Sequence, residues 1–118
     1  MAAKDEVGRH GENIAARLLE DGGWQILERN WRCEHGEIDI VAVDGGDLVA
    51  VEVKTRRSAA FGSPQEAVTR DKLRRLRRLV AAWLASQERT FPGVRIDVIA
   101  VSLPRAGAAT VEHLRGVG

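Results

Sequence analysis

The chain has 118 residues, 44% hydrophobic and 30% charged, with a formal net charge of +1. That length suits a single domain over residues 1–118, with one core large enough to need neither a disulfide nor a structural zinc. The lone cysteine, Cys33, excludes an internal bridge; with no signal-peptide pattern and no apolar run of the ~20 residues that span a bilayer, a reducing cytoplasm and no membrane are expected.

Residues 1–6 are polar and are expected to be loose. From Val7 to about Asp21, Val7, Ile14 and Leu18 share one helical stripe, and Gly22-Gly23 supplies the stop. Residues 24–32 (WQILERNWR) predict a first strand. Residues 36–43 and 48–54 predict two more, joined by the turn Asp44-Gly45-Gly46-Asp47. The polar loop 55–63 is expected to be mobile in the free protein. Pro64 suits the first turn of a long helix running to about Gln87. Its apolar stripe is Val68, Leu73, Leu76, Val80, Trp83 and Leu84, while Arg70, Arg74, Arg77 and Arg78 crowd another face. Pro92-Gly93 turns the chain into a buried strand over 94–103, and residues 109–114 add a short edge strand. The order αβββαβ(β) predicts an α/β protein with a mixed central sheet flanked by helices.

Charge is unevenly spread. Residues 54–78 hold nine of the eighteen Lys/Arg and only two acids, Glu66 and Asp71, a local balance of +7, against −6 for the remainder. Such asymmetry predicts a basic patch for a polyanion, although a charge run is as often a solvated helix face. With few aromatic residues available for base stacking, contacts to the phosphate backbone are expected to dominate.

The hairpin register carries the chemistry. A turn centred on Gly45-Gly46 sets Asp44 opposite Asp47, and continuing the ladder sets Asp39 opposite Glu52 and Glu37 opposite Lys54. Alternation then puts all four on one face, with Ile38, Ile40, Val49, Val51 and Val53 on the other. Opposed Cβ atoms lie ~4.5–5.5 Å apart, close enough for two carboxylates to share a cation. Facing acids on a partly covered sheet need neutralising, by Lys54, by a hard divalent ion, or by a plain salt-bridge cluster of the same four residues. Lysine is the rarer choice here, with three against fifteen arginines, and it is a compact charge suited to orienting or deprotonating water.

Asp39 followed across a hairpin by Glu52-Val53-Lys54 resembles the PD-(D/E)xK nuclease superfamily. More closely, the chain resembles the YraN-like family of small restriction-endonuclease-like proteins. The match rests on Gly8-Arg9-His10-Gly11-Glu12, residues 24–32, Gly36-Glu37-Ile38-Asp39, Val51-Glu52-Val53-Lys54-Thr55-Arg56, Phe61-Gly62, Pro64 and Lys72. It runs from about residue 8 to 102, with Ile38 where the superfamily motif has proline.

The resemblance implies a restriction-endonuclease-like core related to Holliday-junction resolvases. It implies Asp39 and Glu52 as ligands of Mg²⁺ (or Mn²⁺), the Val53 carbonyl as a further ligand, Lys54 as the catalytic lysine, and Glu12 as an acid approaching the metal. Arg56, Arg57, Arg70, Lys72, Arg74, Arg77 and Arg78 would hold phosphates of nucleic acid, most readily DNA. A homodimer would serve a branched substrate with two strands to cut. Two other readings stand beside the endonuclease: a nucleic-acid-binding module that does not cleave, and a protein-interaction domain using the basic helix. His10, His35 and His113 lack metal-ligand spacing, Cys33 reads as a packed thiol, and Asp97 on a buried strand reads as a salt-bridge partner.

Overall fold

The computed structural model of the protein describes residues 5–57 and 68–118. Its elements are α1 (Glu6–Asp21), β1 (Gln25–Cys33), β2 (Gly36–Asp44), β3 (Asp47–Arg56), α2 (Arg70–Ala85), β4 (Val94–Ser102) and β5 (Thr110–Leu114). The five strands form one sheet in chain order. β3 and β4 are parallel, joined by the crossover that contains α2, and every other neighbouring pair is antiparallel. The order αβββαββ and the mixed sheet between two helices are those expected of a restriction-endonuclease-like core. Among the described residues, no helix is long and apolar enough to cross a membrane.

The central strand β3 is covered on both sides, which explains its near-continuous apolar run. Val49 and Val51 pack with Ala15, Ala16 and Leu19 of α1 and with Ile40, Ala42, Ile99 and Val101. Leu48 and Ala50 pack with Leu76, Leu79, Val80 and Trp83 of α2 and with Val41 and Ile96. The sheet therefore has an α1 side and an α2 side, and the same alternation that fills the two cores assigns Glu52 and Lys54 to the α2 side.

Local chemistry fixes the helix starts. Asp5 caps α1 by accepting the Gly8 N–H at 2.7 Å. α2 begins at Arg70 rather than near Pro64. Val68 and Thr69 are not helical, and the Thr69 hydroxyl caps the helix by accepting the Lys72 N–H at 3.1 Å. A side-chain cap of this kind defines the first turn more strongly than an upstream proline does. Thr55 and Arg56, expected in a loop, complete β3 beside Val101 and Ser102. Residues 58–63 of that loop and Pro64 lie outside the described residues, as do residues 1–4 of the expected loose N-terminus.

Candidate active site

The predicted register holds for five pairs, from Asp44–Asp47 to Ile40–Val51, and then the β2–β3 ladder ends. The expected Asp39–Glu52 and Glu37–Lys54 pairs do not form. β3 continues along β4 to Arg56, so past Val51 the sheet is open between β2 and β3. In that fork the Asp39 carboxylate accepts the Val53 N–H at 2.8 Å, taking the place of a backbone acceptor. The N–H and C=O of a strand residue point toward the same neighbour, so the Val53 carbonyl shares this edge with Asp39.

The fork coincides with a local distortion of β1 and β2 at the same level. The β1–β2 register passes from Arg29–Ile40 to Trp31–Ile38 without bridging Asn30 to Asp39. Asn30 sits at φ 55°, a left-handed conformation that asparagine tolerates better than most residues. Across this level the alternation slips: Ile40 packs on the α1 side and Ile38 on the α2 side. The expectation that Glu37, Asp39, Glu52 and Lys54 share one regular face is thereby corrected, since Asp39 turns into the fork. Glu37 pairs with its β1 neighbour Arg32, Nε to Oε2 at 2.8 Å. Among the described residues, the ion pairs of Glu37 and Glu52 run to Arg32 and to α2 and not to Lys54.

Glu52 finds its counter-charges on α2. Lys72 Nζ lies 3.4 Å from Oε2 and Arg75 Nη2 lies 3.4 Å from Oε1, with the glutamate side chain 14% exposed. Two residues further along β3, on the same side, Lys54 is exposed. Arg75 was not among the residues singled out from sequence. Its helical spacing of three from Lys72 was the available signal, hidden by the density of arginine around it. Arg70, Arg74, Arg77 and Arg78 are exposed on α2, with Arg74 3.4 Å from Asp71. Arg56 is half-buried at the end of β3. Arg57 is exposed and lines a cleft with His10 of α1 and with Leu103, Pro104 and Arg105 beyond β4.

Glu12 is nearly fully buried on α1. Its Oε2 accepts hydrogen bonds from Arg29 Nε (3.0 Å), Arg29 Nη2 (2.8 Å) and Asn30 Nδ2 (2.9 Å). Consecutive strand residues normally point to opposite faces, and the left-handed turn at Asn30 lets both reach this carboxylate. Glu12 therefore ties α1 to β1 at the level of Asp39. Beside it, Gly11 lies so close to Thr55 that any side chain at that position would overlap the threonine. The first turns of α1 are thus pressed against the residue that follows Lys54.

Among the described residues, no three His, Cys, Asp or Glu side chains converge as a metal-holding group. The donors expected for the metal are fewer: two carboxylates and a carbonyl. Mg²⁺ usually keeps several waters and is held by one or two carboxylates together with phosphate oxygens, so this hard-oxygen set fits it. The site also already accommodates two positive charges beside Glu52.

A separate polar cluster lies on the α1 side of β4. Asp97 is fully buried and accepts from Arg95 Nε (3.0 Å) and the Gly116 N–H (2.9 Å), with His113 Nε2 at 2.8 Å. Arg95 also reaches Asp44 at 2.9 Å and lies over the Trp24 ring. The Asp97 hydrogen bond, aided by Asp44, raises the Arg95 guanidinium above its ordinary value against the opposing effect of burial. Asp97 is the salt-bridge residue that its strand context suggested, and it anchors β5 and the residues after it.

Residues 11–101 match the model of a family described as Uncharacterised protein family UPF0102. The chain belongs to the UPF0102 family. Similar UPF0102 proteins include one from Beutenbergia cavernae, 63% identical over 118 residues and covering both chains completely. Another, from Arthrobacter sp., is 57% identical with the same full coverage. A third, from Streptomyces coelicolor, is 56% identical over 119 residues, which is 99% of this chain and 92% of that relative. The segment matched to UPF0102 contains Glu12, Asp39, Glu52, Lys54, Lys72 and Arg75, and it ends before β5 and His113.

Proposed function

We propose that this UPF0102 protein is a metal-dependent endonuclease that hydrolyses phosphodiester bonds in DNA, with structured or branched DNA as its substrate. The observation that carries this reading is the β2–β3 fork. There one distortion brings the Asp39 carboxylate onto the edge of Val53, between Glu52 and Lys54, under a helix dense in arginine. Carboxylates gathered beside an open backbone edge offer the hard oxygen donors that a divalent cation prefers.

In this reading Asp39, Glu52 and the Val53 carbonyl hold Mg²⁺ or Mn²⁺. A divalent ion there supplies Lewis acidity toward phosphate oxygens and acidifies water. The chain's own residues do the rest. Lys54 orients the attacking water and donates to a nonbridging phosphate oxygen, where negative charge builds as the water's oxygen bonds to phosphorus, its proton passes to solvent and the leaving oxygen departs. Glu12 holds Arg29 and Asn30, and through them the distortion that aims Asp39. Arg56 and Arg57 beyond the fork, and Arg70, Lys72, Arg74, Arg77 and Arg78 on α2, bind flanking phosphates and give an affinity that falls steeply with salt. A homodimer would supply two such centres.

One observation favours a second reading. Lys72 and Arg75 already balance Glu52 without a metal, as they would in a nucleic-acid-binding module that does not cleave. The test separates the two: incubation with duplex, single-stranded, flap and four-way-junction DNA, with Mg²⁺, with Mn²⁺ or with chelator. Cleavage that needs the metal and disappears in Asp39→Ala and Lys54→Ala is the expected result. Cleavage that survives chelation or both substitutions overturns the assignment, and binding without cleavage on every substrate selects the second reading.

A further inference from the structure

We propose that Lys72 and Arg75 are resident counter-ions of Glu52, which a divalent cation displaces and which then bind phosphate, so that metal and nucleic acid bind cooperatively. The inference rests on the reading of the fork as a metal-dependent DNA site and concerns how that site is switched.

Geometry is the first support. The two cations do not share one oxygen: Lys72 covers Oε2 and Arg75 covers Oε1. Each oxygen keeps a second lone pair, but a dication approaching either one meets the like charge of the cation already beside it and pushes that cation away. At 3.4 Å each, both pairs are longer than the ~2.7–2.9 Å of a well-made charge-assisted hydrogen bond, so they attract chiefly as charges and part readily. Both partners have somewhere else to go, since Lys72 is 26% and Arg75 48% exposed while Glu52 is 14% exposed.

Charge conservation is the second. One dication carries the charge of the two side chains it replaces, so the half-buried carboxylate stays neutralised throughout the exchange. Breaking a buried pair without replacement is costly, and this exchange avoids that state. The released side chains stay on a helix that fronts the fork, where a phosphate held for attack would lie. Linkage then requires that nucleic acid, by drawing Lys72 and Arg75 away, strengthen metal binding by the factor that metal strengthens nucleic-acid binding.

The test uses Mn²⁺ alone in calorimetry, and a short fluorescent DNA duplex in anisotropy with Ca²⁺ or with chelator. Lys72→Gln combined with Arg75→Gln keeps a helix-forming residue at both surface positions; thermal melting checks folding. The double variant is expected to bind Mn²⁺ about tenfold more tightly than wild type, within the range typical of coupled sites. Arg74→Gln and Arg78→Gln, which change the same helix charge away from Glu52, are expected to leave Mn²⁺ affinity within about twofold of wild type. For wild type, the slope of log affinity for DNA against log salt should be steeper with Ca²⁺ than with chelator by about 1.8, the release of two more counterions, and the double variant should lose that difference. Wild type binding Mn²⁺ with no tightening in the double variant, or equal tightening in the Arg74 and Arg78 variants, overturns the exchange and leaves the metal site standing. Failure of wild type to bind Mn²⁺, with Asp39→Ala indistinguishable from it, overturns the metal site itself and the exchange with it.

Discussion

Replacing Gly11 with alanine tests the contact that ties α1 to the strand bearing Lys54. A Cβ built on Gly11 overlaps Thr55 Oγ1 and falls 2.7 Å from its Cγ2 and 2.8 Å from its Cβ. Rotation of the threonine could relieve the first two, but Thr55 Cβ is fixed to the β3 backbone, so the helix itself has to move. Overpacking of that kind costs ~1–3 kcal/mol, and a clash that reaches Cβ belongs in the upper half of the range. Alanine is the better helix former by about 1 kcal/mol, which offsets part of the loss. The net expectation is a loss of ~1–2 kcal/mol, or a Tm lower by about 4–8 °C for a domain of this size. Urea denaturation and melting of Gly11→Ala, Thr55→Gly and the double variant form a cycle in which the glycine at 55 should recover most of the Gly11→Ala loss. A Gly11→Ala protein as stable as wild type, or more stable, would refute the close approach of α1 to β3, because the helix-propensity gain would then stand unopposed.

Two further outcomes follow from the buried charges. Glu12→Ala strands Arg29 and Asn30, and because the Arg29 side chain is 37% exposed and can rehydrate, the expected loss is about 2–3 kcal/mol rather than the ~3–5 of a fully buried pair. Urea unfolding measures it, and a loss under about 0.5 kcal/mol, within the ordinary range of surface changes, would count against Glu12 as the tie between α1 and β1. Asp97→Ala removes the acceptor shared by Arg95, His113 and the Gly116 N–H. Amide exchange is expected to speed up first in β5 and the residues after it, and loss of protection spread evenly over the sheet would contradict this anchoring role.

The fold was legible wherever local pattern and packing agree. The glycine turn set the hairpin register through Ile40–Val51, the apolar runs named the strands, and the alternation in β3 put Glu52 and Lys54 on one side. The pattern failed where a side chain outcompetes the backbone. No periodicity shows that the Asp39 carboxylate will take the Val53 N–H, or that Asn30 will turn left-handed and bring two neighbouring side chains to Glu12. That single distortion explains several departures together: the early end of the ladder, Ile38 on the α2 side, and Glu37 paired with Arg32 instead of facing Lys54.

The α2 start departed for a comparable reason, because Thr69 caps the helix while Pro64 only permits one. Arg75 was hidden because a row of arginines reads as one charged face, and only the packing of α2 over β3 singles out which of them meets Glu52. Leu79, fully buried on the inner face of α2, lies outside the expected stripe for the same reason: spacing allows several stripes, and the sheet selects one.

In the proposed reading, Asp39 and Glu52, with the Val53 carbonyl, would hold one cation at the open end of the β2–β3 ladder. Anomalous diffraction at the manganese edge, from crystals soaked in Mn²⁺, measures this directly. The expected map has a peak within direct bonding distance of an oxygen of each carboxylate and of the Val53 carbonyl oxygen. A peak elsewhere on the molecule, or a fork in which Glu52 keeps both Lys72 and Arg75 while Mn²⁺ is in excess, would contradict it.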